Sequence, residues 1–237
     1  MKSNFLKRLA IIAIAATMSV GANAQMEGGR FGIRAGANFT NLASNADFSG
    51  LGLSMTNKMK PGFQLGVVAD IPTTMKGISF ETGLLFAQQG AKWEGAGTYR
   101  YMGIPIDLNV DVKMALSYFQ LPYNIKYTHD LGNDIKLLLQ GGLYLGYALS
   151  GKLKVEVGGA SGSASATEKQ EEKLEIGIDE DKNHIRFLDL GLGVGAGLLL
   201  MDNIQVNLGY NLGVTNVSFG DKLRNRGLAF TVTYFIN

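Results

Sequence analysis

Apolar and polar residues alternate one by one through eight separate stretches of this 237-residue chain, and each stretch runs for nine or more positions. Successive side chains on a β-strand point to opposite faces, so a period of two gives each stretch one apolar and one polar face. The stretches are residues 31–41, 62–71, 78–92, 112–128, 135–152, 184–200, 204–217 and 226–236. In the first, Phe31, Ile33, Ala35, Ala37 and Phe39 share one face, and Gly32, Arg34, Gly36, Asn38 and Thr40 the other. A tilted strand crosses a bilayer in about 9–11 residues, and each stretch is long enough. Alternation alone would also suit a soluble sandwich.

The connections separate the two folds. Residues 72–77, 129–134 and 201–203 read as tight turns, whereas 42–61, 93–111, 153–183 and 218–225 read as loops, in strict alternation. A membrane barrel has short periplasmic turns on one rim and longer loops on the other; a sandwich has no reason to do this. An even strand number puts both chain ends on the periplasmic rim. The expected fold is therefore all-β, an eight-stranded antiparallel transmembrane β-barrel of the bacterial outer membrane.

The start of the chain fits export. Lys2, Lys7 and Arg8 precede an apolar run at 9–20, and Ala22-Asn23-Ala24 stands before Gln25. This is the pattern of a cleaved signal peptide, and 12 apolar residues are too few for a spanning helix, which needs about 20. Residues 1–24 are expected to be removed by cleavage between Ala24 and Gln25, leaving one barrel domain at 25–237. The 22 Lys plus Arg and 20 Asp plus Glu become 22 − 3 = 19 against 20, a net charge of −1, which argues against a nucleic-acid partner. With no cysteine, disulfides, zinc thiolates, thiol catalysis and a lipoprotein signal are excluded.

Several strings carry a family resemblance: Gly32-Ile33-Arg34-Ala35-Gly36-Ala37-Asn38-Phe39-Thr40-Asn41, Phe80-Glu81-Thr82-Gly83-Leu84-Leu85, Phe119-Gln120-Leu121-Pro122-Tyr123-Asn124-Ile125-Lys126-Tyr127, Gly141-Gly142-Leu143-Tyr144-Leu145-Gly146-Tyr147 and Asn225-Arg226-Gly227-Leu228. In this order they resemble the PorT-type outer-membrane β-barrel family of the Bacteroidetes, with its porin-like barrel domain. The resemblance implies a fold and a location and no single biochemical task. Such chains often stop on an aromatic residue, whereas this one ends Tyr234-Phe235-Ile236-Asn237; Tyr234 and Phe235 are expected to supply the aromatic signal for the barrel-insertion machinery.

Motif-like strings mostly dissolve on inspection. Gly191-Leu192-Gly193-Val194-Gly195-Ala196-Gly197 imitates a dinucleotide fingerprint, but that needs a following helix, and here glycine alternates within a strand. The stretch from Gly146 to Lys152 resembles a phosphate loop, yet Leu153 stands where a magnesium-binding hydroxyl belongs. Asp179, Asp181 and Asn183 open like a calcium loop, but His184 and Leu190 replace the required Gly and Glu. His129 and His184 fall on opposite rims and cannot form a catalytic pair. No cofactor, no metal and no enzyme activity are expected.

The loop at 153–183 begins with small residues, Gly158 to Ala166, and turns acidic through Glu168, Glu171, Glu172, Glu175, Asp179, Glu180 and Asp181. A flexible, solvated arm is expected there. Residues 42–61, with Leu51, Leu53, Met55 and Met59, are expected to fold over the barrel mouth. The lipid belt should comprise Phe39, Leu65, Val67, Leu84, Phe86, Leu121, Leu143, Leu145, Leu190, Val194, Leu208, Phe230 and Val232, with Phe31, Tyr127, Tyr234, Trp93 and Tyr147 at the interfaces. Parity puts Arg34, Asp70, Glu81, Lys126 and Lys136 inside, near the periplasmic end, as a mutually satisfied network with Gln64, Gln120, Asn124, Gln140 and Gln205. An eight-stranded lumen is filled by side chains, so the expected role is a monomeric structural or interaction scaffold of the cell envelope, in contact with outer-membrane lipid and envelope proteins. The alternatives are a narrow diffusion channel and an accessory barrel of a secretion apparatus.

Overall fold

The computed structural model describes residues 28–43, 54–101, 104–161, 164–177, 185–219 and 222–236. Its strands are β1 (Arg30–Ala43), β2 (Ser54–Pro72), β3 (Ile78–Tyr101), β4 (Ile104–Gly132), β5 (Ile135–Ser161), β6 (Ala164–Leu174), β7 (Ile176–Gly177), β8 (Ile185–Arg186), β9 (Leu188–Leu200), β10 (Ile204–Gly213) and β11 (Arg224–Ile236). Eight of them, β1 to β5 and β9 to β11, pair antiparallel in a ring that β1 and β11 close, from Phe31↔Ile236 to Ala43↔Arg224. β6 adds to β5 outside the ring, and β7 and β8 form a short parallel ladder.

The three tight turns lie together at one end. Asn133 and Asp134 have φ of 54° and 57°, and Met201 and Asp202 have φ of 51° and 58°. Two consecutive positive φ values make the turn whose twist matches that of the flanking strands. At the other end the structure departs from the sequence reading. Residues 93–111 are not a loop: β3 and β4 stay paired out to Tyr101↔Ile104. Nor is the small-residue arm irregular, since β5 and β6 pair from Gly151↔Leu174 to Ser161↔Ala164. With Met55 to Met59 of β2, these hairpins make a sheet projecting beyond the ring. Small residues such as Gly158 and Ala166 hide strand alternation, yet the neighbouring backbone satisfies their ladder. β10, in contrast, ends at Gly213; the Val214 N–H still donates to the Leu190 carbonyl of β9 at 2.8 Å, but the Leu190 N–H turns to the Thr215 hydroxyl.

The outward face carries the apolar belt. Phe39, Leu65, Val67, Leu143, Leu190, Val194, Leu208, Phe230 and Val232 are all exposed on the isolated chain, and Leu84, Phe86 and Leu145 are half-exposed. Two expectations fail. Leu121 is 3% exposed and Trp93 is 8% exposed. Leu121 has outward parity and stands opposite Leu145 of β5, yet it is buried. Trp93 shares the parity of Glu81 and Leu85, so it points inward and joins an apolar cluster with Leu42, Leu116, Tyr118, Leu174, Ile185, Val217 and Leu223 at the hairpin end. Leu42 belongs to this cluster and Met55 packs against it, whereas Met59 is exposed and does not cover the mouth; Leu51 and Leu53 fall outside the described residues. A row of outward aromatics marks the hairpin-side edge of the belt: Phe63 and Phe86 with centroids 5.7 Å apart, Phe86 and Phe119 at 6.4 Å, and Phe119 in register with Tyr147.

The alternating glycines of β9 lie on the inward face. A Cβ on Gly191 would collide with the ring of Tyr144, so glycine here makes room for a large side chain on the paired strand, β5.

Candidate functional site

The lumen is the site, and it is layered. At the turn end, β1 supplies Arg30 and Arg34, β2 Asp70, β3 Glu81, β4 Asn124 and Lys126, β10 Gln205, and β11 Thr233 and Phe235. Asp70 and Glu81 face each other in register, a like-charge juxtaposition that would repel if left alone. Lys126 lies between them, with Nζ 3.1 Å from Asp70 Oδ2 and 3.2 Å from Glu81 Oε2. It also donates to Gln205 Oε1 at 2.9 Å, which uses all three ammonium protons. Arg34 grips Glu81 through both terminal nitrogens, at 2.9 and 2.8 Å, and donates from Nε to Thr233 Oγ1 at 2.8 Å. Asn124 adds a longer contact to Glu81 at 3.4 Å.

Of the five residues that the sequence places inside, Arg34, Asp70, Glu81 and Lys126 meet in this cluster. Lys136 does not. It lies nearer the rim and donates to Asp202 of the neighbouring turn at 2.5 Å, its side chain 30% exposed. Asp202 is the closer carboxylate, and the remaining cationic place is filled by Arg30, which donates from Nε and Nη2 to Asp70 Oδ2 at 3.0 and 2.8 Å. Arg30 has the parity of Arg34, four residues on, and becomes legible once the first strand starts one residue before Phe31. Phe235 is the other missed member. Its ring lies 4.2 Å from the Arg30 guanidinium carbon and 5.2 Å from Lys126 Nζ, so three cations share two carboxylates and an aromatic face. Phe235 therefore points inward, and Tyr234 alone of the terminal pair faces out, exposed.

Lys126 and Glu81 are both 0% exposed. Charges at that depth are tolerated because each is paired and hydrogen-bonded; removing one member leaves the other buried and uncompensated. Above the cluster is a cavity of about 60 Å³ lined by Gln64, Gln120, Gln140, Tyr144, Asn207 and Thr231 among others. Gln120 Nε2, Gln140 Oε1, Asn207 Oδ1 and Thr231 Oγ1 have no protein partner, and the cavity has room for a few waters. Higher still, Asp189 accepts from Asn225 Nδ2 at 2.8 Å, Thr215 Oγ1 at 3.2 Å and the Tyr144 hydroxyl at 3.3 Å. The apolar cluster around Trp93 then fills the hairpin end. Below the ionic cluster, an open vestibule of about 420 Å³ is bordered by Arg30, Lys76, Lys136 and Asp202.

Ala24 and Gln25, the expected cleavage pair, lie outside the described residues, as do Asp179, Asp181, Asn183 and His184.

Several solved structures of low identity are similar to this chain over most of its length. The attachment invasion locus protein Ail of Yersinia pestis is 13% identical, covering 88% of this chain and 99% of its own, with a TM-score of 0.35. Neisserial surface protein A is 15% identical over 87% and 98%, with a TM-score of 0.39, and the outer membrane protein OprG of Pseudomonas aeruginosa is 10% identical over 88% and 96%, with a TM-score of 0.34. No curated protein matches the sequence. The family model of the outer membrane protein beta-barrel domain matches residues 23–218. The chain belongs to that family and is an outer-membrane β-barrel protein.

Proposed function

We propose that this protein is a monomeric, non-catalytic scaffold of the cell envelope whose lumen does not conduct. The carrying observation is the pair of closures at opposite ends of one small cavity, the ionic cluster on the turn side and the apolar cluster around Trp93 on the hairpin side. We read the chain as a PorT-type barrel of the Bacteroidetes, exported by a signal peptide at 1–24 and cut between Ala24 and Gln25. The tight turns and both ends of the mature chain face the periplasm, and the projecting hairpins stand outside the cell. The pairing of Phe31 with Ile236 supports a common side for the two ends. Outward residues of the hairpins are the surface through which envelope proteins would be engaged.

Planar-bilayer recording of the purified barrel tests the closure: only baseline conductance is expected, and steady large openings would make the channel reading the better one. N-terminal sequencing should find Gln25 first. Cross-linking in intact cells, followed by identification of the attached proteins, addresses the scaffold role, and a chain attached to nothing but lipid would remove it.

A further inference from the structure

The projecting sheet has a polarity that the barrel does not require. On its outward face, Lys58 of β2 pairs with Lys92 of β3, Lys92 with Lys113 of β4, and Lys113 with Lys154 of β5. Four lysines thus stand directly opposite one another across four neighbouring strands, where like charges repel. Two residues further from the barrel the next row is acidic: Glu94, Asp111 and Glu156, again in mutual register. The acids take part of the charge. Glu94 holds Lys58 and Lys92, Asp111 lies 3.8 Å from Lys92, Glu156 lies 3.9 Å from Lys113 and 3.5 Å from Lys169, and Glu171 lies 2.8 Å from Lys154 and 3.1 Å from Lys152. Six ammonium groups therefore share four carboxylates, and the basic row is the one nearer the membrane.

We propose that this lysine row is a binding site for phosphate groups carried on the saccharide of a glycolipid in the leaflet on the hairpin side. Lys92 lies six residues beyond Phe86, and Lys113 six residues beyond Phe119, on the same outward parity as the lipid belt. That is about 20 Å along the strand at about 3.3 Å per residue, and on the order of 15 Å along the membrane normal for a strand tilted about 40°. Phospholipid headgroups reach only about 5–8 Å above the hydrocarbon. A row of cations at this height meets phosphates that a sugar headgroup lifts above that level. Each ammonium has three donors, so a phosphate can bridge neighbouring lysines without breaking their contacts to the acidic row, and it removes the repulsion along the row.

The proposal rests on the lipid belt described above, so the experiment keeps the two separable. Wild-type barrel is reconstituted in vesicles of phosphatidylcholine alone, with phosphatidylglycerol, or with rough-type lipopolysaccharide, and the retained lipid is counted by native mass spectrometry after detergent extraction. Heat-modifiable gel migration selects folded barrels; a chain that failed to embed would lose this signature and retain no lipid of any kind. The expectation is enrichment of lipopolysaccharide over phosphatidylcholine by about five-fold or more, the scale set by one lysine at an anionic surface. A triple variant, Lys92→Gln with Lys113→Gln and Lys154→Gln, should lose the enrichment while still embedding. Glu94→Gln with Asp111→Asn and Glu156→Gln should raise it. Equal retention by wild type and the lysine variant would overturn the proposal. So would phosphatidylglycerol retained as strongly as lipopolysaccharide, or inorganic phosphate competing it away at millimolar concentration.

Discussion

The molecule contains two networks of lysine, arginine and carboxylate, and in both the strand register sets like charges directly against each other. At the turn end of the lumen Asp70 opposes Glu81, and Lys126 between them is closed from solvent. On the projecting hairpins Lys58, Lys92, Lys113 and Lys154 stand in one row, and water surrounds them. The same pairing chemistry has different consequences because the surroundings differ. In the lumen every charge must be answered by a named partner, since desolvation is expensive. On the hairpins solvent screens the charges, and a pair adds little to stability. The first network holds the barrel together, and the second is free to serve as a surface.

The largest effect that would break this contrast is expected from Glu81→Ala, which leaves Arg34 and Lys126 buried without their shared carboxylate. It should destabilise the barrel by about 3–5 kcal/mol, read from urea titrations of folding into lipid vesicles; a loss under about 1 kcal/mol would mean that water reaches the cluster. Next comes the lipid face. Leu208→Arg, on the exposed belt, should cost about 2–4 kcal/mol near the midplane. If Leu208→Arg inserted as well as wild type while Asn207→Arg did not, the two faces would be reversed. Lys136→Ala, which removes a rim pair with Asp202, should cost about 0–1 kcal/mol and so separate the rim lysine from Lys126.

The smallest effect belongs to the hairpins and appears only with pH. Hydrogen bonds from Lys58 and then Lys92 lower the Glu94 pKa to about 2 from an ordinary value of 4.5. A depressed carboxylate contributes its full stabilisation above the unfolded value and loses it as pH falls through the folded one. Local order of the β3–β4 hairpin should therefore be unchanged down to about pH 4.5 and decline toward about pH 2. Carboxylate chemical shifts of Glu94 across that window provide the check; a midpoint near 4.5 would mean that the lysines do not hold it.

Parity makes much of this legible in the sequence. Once Phe31 to Thr40 is read as a strand, Arg34 has to point inward, and Asp70, Glu81 and Lys126 follow from their own strands. The inward Trp93 was equally available, since it lies twelve residues from Glu81 and shares its face, but an aromatic at the end of an apparent strand invites assignment to the membrane interface. Lys136 shows where parity stops. It fixes the face and leaves the height, which depends on how the tilted strands stagger round the ring. The β3–β4 and β5–β6 hairpins were hidden for a different reason: Gly95, Gly97, Gly158 and Gly159 have no side chain to alternate, and only the neighbouring strand reveals them.

The ionic cluster also has a consequence in time. Arg30 and Arg34 belong to the first strand, and their partners Phe235 and Thr233 to the last, with nearly the whole chain between them. Their contacts cannot exist in a barrel that lacks its final seam, and until then Lys126, Asp70 and Glu81 face an open, hydrated trough. Meeting of β1 and β11 is therefore the event that dries the lumen, and contacts of this sequence separation form late. Interactions absent from the folding transition state slow unfolding without slowing folding. The cluster then acts as a latch: it offers little help to a half-built barrel, and it resists the reopening of a finished one.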